Sequence, residues 1–587
     1  MNNLFKTGCW NLRTAIALGF AAITMFAAIT EGRAQAPQLI PPKLSVPKAK
    51  FFKQHPEAWQ QFLSELQQQP AADAEPYASP FGGTWTKVTG APQGGLSNPL
   101  LLTDGTVIAH SAATRNWYKL KPDASGNYAT GSWSKIAELP SGYGPLYFGS
   151  AVLPDGRVII QGGEYNIACD SGNTEVWTSL GAIYDPIANS WKSVAHPSGA
   201  GWVNTDACGT KQADGGIGDA ASIVLPNGKF LLSACCAFPA VDALLNASTL
   251  TYSATGAPTD PCVVCGSGTY QDEQGYTLLH NGKVLTIDVW DPPHAQTYDP
   301  STGTWSDVAS TPVSLIDPTQ CNNFEIGPAV TRPDGTVVAF GGNTGCTSSP
   351  ADPTAIYNPA TNTWATGPNV PEIGGAFFTL PDAPASLLPN GNVLFAASPR
   401  YGHSPTHFFE FTSATSSPAN TIKQVSDPLL GASTGRAYYY NLLALPNGQT
   451  LMTDFSSVAE VYSPTGGPNS AWKPVIKSAP KCVTPGDSYV VSGTQLNGLS
   501  QGAAYGDDVQ GATNYPLVRI VNNSSGHVFY ARTFDPSTMS IAPGQSGSTH
   551  FTVSKGTPTG AGKLYVVANG IASQAFSISV KKSCPTD

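Results

Sequence analysis

Charge is the scarcest commodity in this chain. Only 12% of its 587 residues are Asp, Glu, Lys or Arg, and acids outnumber bases 39 to 30. Such a chain offers no basic surface for nucleic acid or an anionic membrane. Cysteine is absent between Cys9 and Cys169, and no long apolar run follows the one from Ala15 to Ile29. That run, preceded by Lys6 and Arg13 and followed by Ala34-Gln-Ala36, has the three parts of an export signal. Removing residues 1–36 takes away Lys6, Arg13, Arg33 and Glu31 and moves the formal charge from −9 to −11. A secreted or periplasmic protein with no transmembrane segment is therefore expected. Its ten remaining cysteines belong by default in disulfides. Cys169 with Cys208, Cys321 with Cys346 and Cys482 with Cys584 are plausible staples. Cys235, Cys236, Cys262 and Cys265 either pair among themselves or form a thiolate zinc site.

Glycine (60) and proline (50) are abundant, and they recur in order. One tight turn appears seven times: Leu102-Thr-Asp-Gly105, Leu153-Pro-Asp-Gly156, Leu225-Pro-Asn-Gly228, Leu279-His-Asn-Gly282, Arg332-Pro-Asp-Gly335, Leu388-Pro-Asn-Gly391 and Leu445-Pro-Asn-Gly448. Asp-Gly or Asn-Gly between apolar runs marks a β-hairpin, because the turn needs φ > 0. A second unit follows in several repeats: Tyr184, Tyr298 and Tyr357, each in a Tyr-Asp/Asn-Pro triplet, precede Trp191, Trp305 and Trp364 by seven residues. Two hairpins per repeat make a four-stranded blade of kelch-like period.

The chain thus reads as all-β: a signal peptide (1–36), a Pro-rich lead with a short amphipathic helix carrying Trp59, Phe62, Leu63 and Leu66 (37–80), a seven-bladed kelch-type β-propeller (81–472), and a C-terminal immunoglobulin-like β-sandwich (473–587). Thr84-Trp-Thr-Lys-Val88 resembles the last strand of a blade with no hairpin before it. It is spare, and the ring closes if it completes the seventh blade begun at Tyr439.

The repeat allows equivalent positions to be compared. Blade starts carry Leu96, Tyr147, Asp219, Glu273, Ile326, Asp382 and Tyr439, with Glu325 one residue earlier in blade 5. These share one face of the ring with return loops bearing His110, Glu164, Tyr165, Asp288, Asp291, His294, Arg400, Tyr401, His403 and Asp454. A carboxylate ring in a narrow mouth must be partly protonated, neutralised by Arg400 and Arg436, or occupied by a cation such as Ca²⁺. The alternative use for each carboxylate is to cap backbone N–H groups at a strand start.

With these residues set out, the arrangement resembles the galactose oxidase/glyoxal oxidase group of secreted kelch propellers, over nearly all of residues 80–583. The resemblance implies a C-terminal early-set domain and an axial copper held by two tyrosines and two histidines, one tyrosine crosslinked to a cysteine. Tyr147 matches the crosslinked tyrosine, Tyr165 the aromatic stacked on it, and Tyr438 the axial tyrosine. His527 matches the histidine that a sandwich loop feeds into the channel. Two parts are missing: the axial Tyr-His pair reads Tyr438-Tyr439, and blade 1 has no cysteine. A complete copper-radical cofactor is therefore not expected, and the fold alone does not carry the activity.

Two functional classes remain. One is a glycan-active enzyme, hydrolase or lyase, with Tyr147, Asp219, Glu273, Asp382, Tyr439 and His527 as candidate catalytic residues. Tyr165, Glu325, Arg400, Tyr401, His403, Arg436 and Tyr438 would then bind substrate. The other is a secreted module that binds an extracellular glycan or cell-surface protein. An oxidase with rearranged copper ligands is a third reading.

Overall fold

The computed structural model describes residues 76–167, 177–202, 216–218, 220–235, 237–259, 261, 268–316, 325–342, 352–399, 404–412, 420–430, 435–506 and 511–585. The export signal and the amphipathic helix fall outside these residues, as do the Cys169–Cys208 and Cys321–Cys346 pairs. Among the described residues no helix is long and apolar enough to cross a membrane.

Seven antiparallel sheets form a propeller. In each, the first two strands are joined by one of the recurring turns; in blade 3, for example, Ser222–Val224 pairs with Phe230–Ser233 around Pro226-Asn-Gly228. The spare strand does close the ring. Thr84–Lys87 lies antiparallel to Ala459–Ser463 of blade 7, with Trp85 opposite Tyr462. The indole of Trp85 packs on Phe408 of blade 6 and donates to the carbonyl of Ser426 at 2.7 Å, so the closing strand ties two blades.

The Tyr–Trp spacing has a structural reason. The two rings face each other across the outer hairpin, 5.1 Å apart for Tyr184–Trp191 and 4.9 Å for Tyr357–Trp364. Each tyrosine donates its hydroxyl to an asparagine in the turn, Asn189 (2.9 Å) or Asn362 (3.0 Å). The same side-chain oxygen accepts the backbone N–H of Ala137 or Ala309 from the preceding blade. One amide thus stitches a blade internally and to its neighbour.

After residue 472, nine strands make one curled sheet: eight run in the order Val475–Ser478, Ser488–Thr494, Ser546–Thr552, Val528–Phe534, Leu517–Asn522, Gly560–Ala568, Phe576–Val580 and Cys482–Val483, and the short Ile571–Ala572 pairs with Gly560–Ala568. Its concave side closes on Val491, Val518, Phe551 and Leu564. The Cys482–Cys584 disulfide is present and ties its ends. Cys235 is also in a disulfide, which disfavours the zinc alternative; its partner lies outside the described residues. This sheet sits on the turn face of the propeller. Val528 N–H bonds to Ala124 O at 2.9 Å, Met539 N–H to Pro226 O at 3.0 Å, and the Tyr515 hydroxyl to Leu101 O.

Candidate functional site

From the curled sheet the chain after Thr494 leaves the turn face and, by Gly506, has entered the propeller. It is held on the way: Leu278 N–H donates to the Gln501 side chain (2.7 Å) and Leu387 N–H to Gly502 O (2.7 Å). Ala503–Ala504 then adds a fifth strand to blade 6. At its far end the Tyr505 hydroxyl donates to the backbone carbonyl of Tyr438 at 2.6 Å. Gly506, next in line, lies against Asp382 and Gly275.

This corrects the place expected for His527. That residue sits exposed on a hairpin of the curled sheet, its ring 6.1 Å from Phe529, beside the segment that docks on the outer loop of blade 1. The residue delivered to the axis is Tyr505. The clue in the sequence is a long Gly- and Ser-containing stretch between two strands of a compact sheet, a length that usually carries function.

The mouth has two halves. On the acidic side, carboxylate oxygens of Glu273, Glu325 and Asp382 all lie within 4.8 Å of one another. All three residues are buried. Three carboxyls so close cannot all be charged without compensation, so they share protons, are neutralised by a basic side chain such as Arg400, or hold a hard, oxygen-seeking ion such as Ca²⁺. On the aromatic side, the Tyr147 ring lies 6.3 Å from Tyr165 and 6.0 Å from Phe455. Phe455 in turn lies 5.5 Å from Tyr439, which touches Tyr438 at 4.7 Å. Arg436 places its guanidinium 5.9 Å from the Tyr439 ring and donates to the Tyr438 hydroxyl at 2.8 Å. Burial holds the Tyr438 phenol well above its ordinary pKa, so it stays protonated.

Three equivalent blade-start residues, Tyr147 (φ 49°), Glu273 (φ 66°) and Asp382 (φ 50°), have left-handed backbone. For such side chains this costs of order 1 kcal/mol or more each. The twist lets one residue leave the strand register and aim its side chain along the mouth.

The structure therefore gathers Tyr147, Tyr165, Glu273, Glu325, Asp382, Arg436, Tyr438 and Tyr439 around one axis. Asp219, Arg400, Tyr401 and His403 lie outside the described residues. Several return-loop residues have structural duties instead. His110 is fully buried between Trp117 and Phe148, bonds through Nε2 to Thr114 O at 2.8 Å, and is pushed down to a pKa of about 4 by burial. Asp288 accepts the N–H groups of Trp290 (2.7 Å) and Asp291 (2.9 Å), and Asp454 accepts Ser456 N–H (3.1 Å). Asp291 pairs with His294 at 2.9 Å. The sequence reading missed Phe455 and the consecutive buried polar residues Gln271, Asp272 and Gln274 flanking Glu273.

No family model and no curated protein sequence matches the chain. Among solved structures, it is similar to a fungal alcohol oxidase of the AA5 family in complex with copper, at 14% identity and a TM-score of 0.45, covering 85% of this chain and 99% of that one. It is also similar to the GH74 xyloglucanase of Xanthomonas campestris, at 12% identity and a TM-score of 0.41, covering 84% and 81%. Neither likeness is close enough to bear on chemistry, and the seven blades are counted from the chain's own strand pairing.

Proposed function

We propose that this chain is an exported glycan-active enzyme that works by acid–base chemistry at the propeller mouth, without a copper-radical centre. The cluster of Glu273, Glu325 and Asp382 carries the reading. Buried carboxyls that share protons divide into an acid and a base at the same pH, which is the pair that cleavage of a glycosidic bond or β-elimination from a uronate requires. Their separation leaves no room for an activated water between them, so a direct nucleophile or an elimination suits them better than inversion. In this reading Tyr147 and Tyr439 line the sugar's flat faces. Arg436, half-buried at the rim, holds a substrate carboxylate.

The donor set argues against copper. The positions at the axis carry Tyr147, Tyr438, Tyr439 and Tyr505, with no imidazole among the described residues there, and blade 1 has no cysteine to crosslink. Phenols alone make a poor ligand set for Cu(II), which imidazole suits. The Tyr–Trp spacing and the length of the C-terminal sheet also favour a kelch-type propeller with an early-set partner.

The test is turnover on a panel of neutral and acidic polysaccharides, with and without chelator and with metal content measured. Hydrolysis or elimination lost in Glu325→Gln and Asp382→Asn is the expected result. Affinity for a glycan without turnover would instead make the chain a binding module. Stoichiometric copper with oxidation of a primary alcohol would overturn the reading.

A further inference from the structure

Asp242 is a buried acid that the chemistry above does not use. It begins the third strand of blade 3, Asp242–Asn246, on the mouth side of the ring. Its two oxygens accept the hydroxyl of Tyr276, at 3.1 Å each, and one of them accepts the indole N–H of Trp305 at 3.0 Å. Tyr276 in turn accepts the side-chain N–H of Gln271. The donors all point one way, from Gln271 through Tyr276 to Asp242, so each bond polarises the next.

Gln271 opens a run of polar residues, Gln271-Asp-Glu-Gln274, each no more than 3% exposed. Glu273 is its left-handed member. A strained residue keeps such a conformation only where its neighbours over-determine it. The anchors are visible on both sides. Gln271 is bonded to Tyr276, the carbonyl of Asp272 accepts Trp290 Nε1–H at 2.9 Å, and Gln274 meets Val289 N–H at 3.5 Å.

We propose that Asp242 is a positioning residue for the mouth: through Tyr276 and Gln271 it fixes the buried segment that holds the Glu273 carboxylate in place. This rests on the mouth being the working site, and adds blade 3 to its support. Burial raises the Asp242 pKa to about 8, so the acid is neutral at pH 7. Among the described residues the groups that feel it are the phenol of Tyr276, the indole of Trp305 and the phenol of Tyr298. The Tyr276 hydroxyl and the Trp305 indole N–H both donate to Asp242, and both bonds favour its ionised form, so the anchor holds on either side of that pH.

The experiment uses the mature full-length chain, with Tyr276→Phe, which cuts the chain of bonds, and Asp242→Ala, which removes its final acceptor. Protection against hydrogen exchange is read over residues 270–276 at pH 7. Both variants are expected to fall at least tenfold below wild type there. Protection within twofold of wild type in either variant overturns the proposal. Should one variant fail to fold, the other decides. With a glycan substrate in hand, both variants are expected to lower kcat at least tenfold with KM within twofold. Absence of any glycan turnover with the exchange pattern as expected would remove the glycan reading and leave the positioning role standing.

Discussion

Tyr505 donates its hydroxyl to the backbone carbonyl of Tyr438, and the two residues are 67 apart in the chain. One belongs to the loop from the curled sheet, the other to the 3-10 turn Ala437–Tyr439 that opens blade 7. Beside them Gly506 fits so closely that a Cβ there would lie 2.5 Å from the Asp382 carboxylate and 2.8 Å from its Cα. The loop therefore joins the aromatic half of the mouth to the acidic half. Tyr505→Phe is expected to cost about 1 kcal/mol in denaturant unfolding. Gly506→Ala must displace backbone as well, and about 1–3 kcal/mol with a distorted mouth is expected. Wild-type stability in both variants would show that the loop tip is not packed as described.

The carboxyl cluster sets activity and stability against each other. Replacing one acid by its amide removes like-charge crowding, so Asp382→Asn and Glu325→Gln are each expected to melt no lower than wild type while losing at least a hundredfold in turnover. Ca²⁺ titration separates a bound ion from the other ways of relieving the cluster. If an ion binds there, the wild-type melting temperature rises with Ca²⁺, by mass action, and the amide variants lose that rise.

Buried ionisable groups in blades 1 and 7 give the fold a pH dependence of known sign. Burial raises Asp454 and Glu460 to about 6. A carboxyl raised in the folded state stabilises below its ordinary pKa, near 4, and that contribution is lost as pH rises through about 6. His110 works oppositely: depressed to about 4, it contributes above 6.5 and the contribution is lost as pH falls through 4. Calorimetry from pH 3 to 8 should show Asp454→Asn flattening the loss between pH 4 and 6. An unchanged slope in that variant would contradict the burial assigned to Asp454.

Ring closure is a fourth point of leverage. Trp85 is 6% exposed, wedged between Phe408 and Tyr462. Trp85→Ala removes a large core ring and is expected to cost about 3–5 kcal/mol. The corresponding outer-strand residue Trp133 of blade 1 is less buried, so Trp133→Ala should cost less. Paired denaturation curves check the ordering.

How far the sequence could be read follows from what each feature depends on. The blades were legible because each turn is local: Pro226-Asn-Gly228 specifies its hairpin without reference to anything distant. The closing strand was legible because Trp85 repeats the surroundings of Trp191. Carboxylates at Glu273, Glu325 and Asp382 were found by aligning blade starts, since equivalent positions in a ring must converge. Tyr505 was missed because a loop crossing between domains leaves no period, and His527 drew attention only by its residue type. His110 misled for the same reason: burial, which no short motif reports, makes it part of the core. The Asp242–Tyr276–Gln271 chain joins two blades through residues of ordinary type and has no signature at all.

The pairing of Thr84–Lys87 with Ala459–Ser463 has a temporal meaning. The first strand of the propeller waits for its last, so until residue 463 is made the propeller is an open arc with two raw sheet edges. A chain cut short before residue 459 would leave Trp85 without its berth.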